Sequence, residues 1–95
     1  MGRIIVGHSV EGKVVCAQYR QNGAIRIDIE LNEKDRKKYN LEKVTLKFSL
    51  PYVLPILVGD EIIVFISKPL DEPMSQEEKP FAIMKGLTSF EFPRN

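Results

Sequence analysis

The chain of 95 residues is poor in the residue types that most enzyme and metal chemistry needs, with one histidine, one cysteine and no tryptophan. A single cysteine, Cys16, cannot form an internal disulfide, and small secreted domains usually need several. The expected compartment is therefore reducing, and the expected location cytoplasmic. Nucleophilic catalysis requires a base within hydrogen-bond reach of the nucleophile. His8 and Cys16 are the sole candidates; they could meet only across a hairpin, and no local feature activates either. Cys16 reads as a small hydrophobe and His8 as an ordinary polar residue. Zinc needs three or four ligands at set spacings, and these are missing. Asp71, Glu72, Glu77 and Glu78 gather in the stretch 68–80, without the alternating oxygen ligands and glycine of a calcium loop. The six glycines are scattered and form neither a P-loop nor a dinucleotide-binding pattern. No catalytic activity, cofactor or metal is expected.

Excess charge of one sign is also missing. Fourteen Lys and Arg stand against thirteen Asp and Glu, a net charge of +1, so any binding patch must come from local clustering. No long apolar run is free of interruption. The greasiest stretch, Phe48 to Ile66, contains Pro51, Pro55, Gly59, Asp60 and Glu61, and a membrane span needs about 20 mostly apolar residues without such breaks. The N-terminal apolar run is too short for a signal peptide. Gly2 is followed by Val6 where a myristoylation start has Ser or Thr. No membrane partner is expected.

What is present is β-pattern. Residues 3–6 and 13–20 are rich in β-branched residues, with Gly7-His8-Ser9 and Glu11-Gly12 interrupting the run. Asn22-Gly23 then signals a tight hairpin of type I′, which needs φ > 0 at both positions. Ile25, Ile27, Ile29 and Leu31 alternate with Arg26, Asp28 and Glu30, and period two means one dry and one wet face. Val44, Leu46, Phe48 and Leu50 alternate in the same way with Lys43, Thr45, Lys47 and Ser49. Between these strands lies a polar stretch. Asn32 can cap a two-turn exposed helix there, and Glu33 and Lys37 form an i,i+4 pair.

The second half is less regular. Residues 51–55 hold two prolines and read as a buried crossing or corner. Gly59-Asp60 turns the chain into Glu61–Ser67, apolar on both faces and so a covered central strand. The stretch 68–80, with Pro69, Pro73 and Pro80, reads as an exposed loop. Ser75 and Glu78 have capping-box spacing, but Pro80 follows too soon for a helix. Strand segments at 81–84 and 89–92 bend at Gly86. There is no repeat and no linker, so residues 1–95 form one domain.

The long glycine-interrupted first strand, the Asn22-Gly23 hairpin and the run Leu57-Val58-Gly59-Asp60-Glu61-Ile62-Ile63-Val64 resemble an OB-fold. The same valine-glycine-aspartate element occurs in SH3-like barrels, which stand as the alternative. The resemblance implies a mainly β protein: a small five- or six-stranded β-barrel with at most one short helix near 33–40. It departs from the OB pattern in one respect. If 3–20 is a single strand, the helix falls between the second and third strands, whereas the OB-fold has it between the third and fourth. The fold likeness implies binding of single-stranded nucleic acid, oligosaccharide or protein on an exposed sheet face.

Two functions are therefore expected. One is a single-stranded RNA or DNA binder, in which Tyr19 and Tyr52 stack on bases and Arg20, Arg26, Lys43 and Lys47 hold phosphates. Asp28 and Glu30 share that face and oppose it. The other is a structural or protein-interaction domain that forms a homo-oligomer or docks on a partner, because the apolar excess from Tyr52 to Val58 is hard for a small domain to cover.

Overall fold

The computed structural model describes residues 7–92. It is mainly β. The strands are β1 (His8–Tyr19), β2 (Ala24–Leu31), β3 (Lys43–Ser49), β4 (Glu61–Ile66), β5 (Glu77–Glu78), β6 (Ala82–Lys85) and β7 (Thr88–Glu91), with one helix, α1 (Glu33–Tyr39). All strands join one sheet in the order β5-β3-β2-β1-β4-β6-β7. The expected interruption at 7–9 does not occur at His8 and Ser9, which already belong to β1; residues 3–6 lie outside the described residues.

The long first strand serves two neighbours. Its first half pairs with β4 and its second half with β2, both antiparallel, and Gly12 and Lys13 pair on both sides. Gly12 is required at this crossing, because a methyl group there would collide with the Glu30 carbonyl oxygen. Two positions later the register skips between Val14 and Cys16, leaving Val15 as a bulge. Side chains alternate with period two, so one extra residue swaps faces. Val10 and Val14 are buried before the bulge, and Ala17 and Tyr19 turn to the core after it. The alternation in β2 and β3 holds throughout: Ile25, Ile27, Ile29, Leu31, Val44, Leu46 and Phe48 are all core.

The hairpin between β1 and β2 differs from the expected type I′ turn. Gly23 has φ 87°, but Asn22 does not share a positive φ. The Gly23 N–H donates to the Arg20 carbonyl (3.0 Å) and the Arg20 N–H to the Ala24 carbonyl (2.9 Å). This is a three-residue loop, a type I turn followed by a left-handed glycine. The Asn22 side chain caps it by accepting the Ala24 N–H at 3.0 Å.

Helix α1 forms as its cap dictates. Asn32 accepts the Asp35 N–H, Asn40 ends the helix in the left-handed region, and Glu33 bonds Lys37 at 3.3 Å. The stretch 68–80 is less exposed than its composition suggests. Met74 and Pro80 are buried, and Lys68 meets Glu78 at 2.6 Å with both side chains largely covered. Ser75 and Glu78 build a tight polar turn, not a helix: Glu78 accepts the Ser75 N–H at 2.8 Å.

Seven strands replace the expected five or six, and no ladder joins β5 to β7 among the described residues, so the hydrogen-bonded closure of a barrel is not formed. The sheet is nevertheless rolled. Strands β5 and β6 stand five places apart in the sheet, about 24 Å if it were flat. Only residues 79–81 connect them, a reach of about 14 Å at most from Glu78 to Ala82. Rolling brings Phe48 of β3 against Phe92, with ring centroids 4.9 Å apart and planes at 28°. Pro80 has no N–H to extend the β3–β5 ladder, which ends after two residue pairs.

Candidate nucleic-acid interface

Register sets the site. Arg26 of β2 stands directly across from Lys47 of β3, on the outer face. Each is partly neutralised: Arg26 Nε lies 3.4 Å from Asp28 Oδ1, and Lys47 Nζ lies 2.8 Å from Glu77 Oε1. Asp28 also accepts the Thr45 hydroxyl at 2.6 Å. The Lys47 hydrogen bond and charge hold the Glu77 carboxyl below its ordinary pKa. Beside this pair the hairpin turn presents Arg20. Across the seam of the rolled sheet stands Lys79. Neither Arg20 nor Lys79 has an ion-pair partner among the described residues.

Two adjoining hollows result. The first, of about 590 Å³, is bordered by Tyr19, Arg20, Leu50, Tyr52 and Val53. The second, of about 640 Å³, is bordered by Arg20, Arg26, Lys47, Lys79, Phe48 and Phe92. Arg20, Ile25 and Ser49 border both. Of the expected residues, Tyr19, Arg20 and Tyr52 thus meet in one hollow, and Arg20, Arg26 and Lys47 in the other. Lys43 borders neither hollow; it sits opposite Glu30, about 13 Å along β3 from Lys47.

The tyrosines differ. Tyr52 is half-exposed. Tyr19 packs against the core, and its hydroxyl lies 3.3 Å from both the Leu54 and Ile56 carbonyl oxygens, to one of which it donates. Burial raises its phenol pKa. Tyr19 borders the hollow while its hydroxyl anchors the crossing at 51–58. Lys79 and Phe92 were not among the expected site residues. Their local signal is only a lysine before a proline and an aromatic near the chain end; the rolling of the sheet brings them in.

His8 and Cys16 occupy one strand, roughly 25 Å apart along extended chain, so they do not meet across a hairpin. His8 is buried, with Nε2 donating toward the Pro69 (3.1 Å) and Glu72 (3.0 Å) carbonyls and its ring edge-on to Tyr39. It ties the 68–76 loop to β1. Among the described residues no group of three or more His, Cys, Asp or Glu is placed to hold a metal ion, and no helix is long and apolar enough to cross a membrane.

No protein-family model matches the chain, and neither a curated protein nor a solved structure matches it.

Proposed function

We propose that this protein is a small binding module that holds single-stranded nucleic acid across the outer β2–β3 face, on an OB-like rolled sheet acting as a partly open barrel. The observation that carries the reading is the convergence of Arg20, Arg26, Lys47 and Lys79 around a hollow bordered by the stacked Phe48 and Phe92. Phosphates would sit on Arg20 and Lys79, which have no ion-pair partner among the described residues, with Arg26 and Lys47 shared between phosphate and their own carboxylates. Bases would stack on Tyr52 and Tyr19, the tyrosines that border the first hollow. Asp28, Glu30 and Glu77 limit the track to the hairpin end of the face. Cys16, a free thiol, suits a reducing, cytoplasmic setting.

The test is fluorescence anisotropy of labelled mixed-sequence RNA and DNA at low salt. Binding should weaken with salt, and the double variant Arg20→Gln/Lys79→Gln should lose affinity and lower the salt slope by up to about one per phosphate contact removed. No binding of either strand at low salt overturns the reading.

A second reading, protein docking, is favoured by one observation. Val53, Leu57 and Val58 are 69%, 68% and 63% exposed and Tyr52 joins them, although Leu54 and Ile56 between them are buried. Four large apolar side chains open to water within one short segment support this reading.

A further inference from the structure

We propose that Glu77 is a built-in competitor of the bound strand: its carboxylate occupies Lys47 in the free protein, and a phosphate displaces it when single-stranded nucleic acid binds. The proposal rests on the single-strand reading and adds the group that sets the affinity of its site.

Two carboxylates share the cations of the outer face, and they are held differently. Asp28 on β2 and Glu77 on β5 stand opposite Thr45 from its two sides. Two residues along the strands, Arg26 and Lys47 stand opposite each other. A row of carboxylates therefore flanks a row of cations. Asp28 is fixed in its row. Its Oδ1 accepts the Thr45 hydroxyl at 2.6 Å and meets Arg26 at 3.4 Å, and its side chain is only 19% exposed. Glu77 is not fixed. Its side chain is 61% exposed, and Lys47, at 2.8 Å, is the one hydrogen-bond partner of its carboxylate among the described residues.

The charges suit an exchange. The Lys47 bond and charge, with the charge of Arg26 added, hold the Glu77 carboxyl below its ordinary pKa against the opposing effect of desolvation. The group is thus an anion that feels both cations of the pair, as a strand phosphate would. Each phosphate of a strand carries one negative charge, so the exchange replaces one single anion on Lys47 with another. The main chain of β5 can stay in place. The Ser75 hydroxyl donates to the Glu77 carbonyl at 2.5 Å, and the Thr45 N–H donates to the Gln76 carbonyl at 2.7 Å. Displacement asks only for rotation of an exposed side chain, a fast motion. An exposed ion pair resists this weakly, because water solvates both charges and side-chain entropy opposes the pairing. Arg20 and Lys79 border the same hollow as Lys47. A strand already held by them presents its next phosphate to Lys47 at a high effective concentration.

The experiment is the low-salt anisotropy titration with mixed-sequence RNA and DNA on five full chains: the parent, Glu77→Gln, Lys47→Gln, the double variant, and Glu33→Gln, which removes the same charge from α1. Glu77→Gln should tighten binding by roughly 1.5- to 5-fold, the range an exposed ion pair accounts for. It should also steepen the salt slope by up to about one, because no freed carboxylate then takes up a cation as the strand releases its own. Lys47→Gln should cost more affinity in the Glu77→Gln chain than in the parent, where Lys47 is already engaged. The melting temperature of Glu77→Gln should stay close to the parent's, since the altered side chain is exposed. A parent that binds while Glu77→Gln binds no more tightly overturns the competitor and leaves the single-strand reading standing. Equal tightening by Glu33→Gln does the same, because net charge would then explain it. So do purely additive Lys47 and Glu77 effects, which would mean general repulsion. If neither the parent nor Glu77→Gln binds either strand, the single-strand reading falls and the competitor with it.

Discussion

The two ends of the rolled sheet are covered in opposite ways. At the end where β1 begins, the coverings are α1 and the 68–76 loop, and polar bonds hold both down. Asp35, a buried carboxylate on the helix, accepts the Glu11 N–H at 2.7 Å. Asn32 Nδ2 donates to Glu11 Oε2 at 2.9 Å, and the Tyr39 hydroxyl donates to the Ser9 carbonyl at 3.2 Å. His8, Lys68 and Glu78 fasten the loop. At the end where β1 stops, the covering is the proline-broken segment 51–60. It sends Leu54 and Ile56 into the core and leaves Tyr52, Val53, Leu57 and Val58 in water. Its fastenings include the Tyr19 hydroxyl, the Asp60 carboxylate accepting the Leu57 N–H at 2.8 Å, Lys85, and the backbone bonds of Gly59 and Asp60 with Val14. The first end is sealed for stability. The second keeps apolar surface in water and lies beside the basic hollows, which is where the proposed binding would take place.

The largest break in this contrast should come from Asp35→Ala. It removes the charge-assisted bond from the Glu11 N–H on β1 and unfastens the helix, a loss of about 2 kcal/mol, or roughly 8–16 °C in melting temperature for a domain this size. Calorimetry reads it, and a change under about 2 °C would mean the helix seals nothing.

Next is acid sensitivity at the same end. Burial raises the Glu78 pKa, but the Lys68 ammonium and the Ser75 N–H and hydroxyl outweigh it and hold the group below its ordinary value. A carboxylate depressed in the folded state stabilises above its unfolded pKa, about 4.3 for Glu, and that contribution is lost as pH falls through the folded value. Glu78→Gln should therefore lower stability at neutral pH and flatten the fall in melting temperature below about pH 4. At the other end Asp60 is also held low, by its Lys85 and Leu57 bonds. Its side chain is less covered than that of Glu78, so Asp60→Asn should flatten the same fall less. Equal effects would erase the distinction between the ends.

Tyr19→Phe should be milder, about 1 kcal/mol, because only the hydroxyl's hold on the 54–56 carbonyls goes while the ring remains packed. Smallest of all, Leu57→Ser and Val58→Ser should leave stability within about 0.5 kcal/mol of the parent. A larger loss in dilute solution would show that these side chains support the fold rather than a partner.

Local chemistry was readable wherever one residue's neighbours in the chain are also its physical context. The faces of β2 and β3 followed from period-two alternation, and the Asn32 cap and Glu33–Lys37 pair from helix spacing. The hairpin was located correctly at Asn22-Gly23 but mistyped, since an Asn-Gly pair suits either a two-residue turn or a glycine bulge, and the Leu50 N–H that bonds the Gly23 carbonyl comes from another strand. The burial of Asp35 in a polar run was hidden because its partner, the Glu11 N–H, lies 24 positions away. In the candidate site, Arg26 and Lys47 were legible as outward residues of two strands, and Tyr19, Arg20 and Tyr52 as chemistry near a turn. Lys43 looked equivalent to Lys47 by pattern, and only the register separates them.

By itself the sequence determined the mainly β character, the inward faces of β2 and β3 and the short helix α1. These depend on local sterics and on the contrast of apolar and polar side chains along one strand. Tertiary structure alone decided the β1 bulge that turns Tyr19 inward, the short β5 ladder that ends at Pro80, and the rolling that sets Lys79 and Phe92 beside Arg26 and Lys47. Those outcomes depend on which strand edges find each other across the chain, and the energy of that choice resides in pairs of residues that no local pattern links.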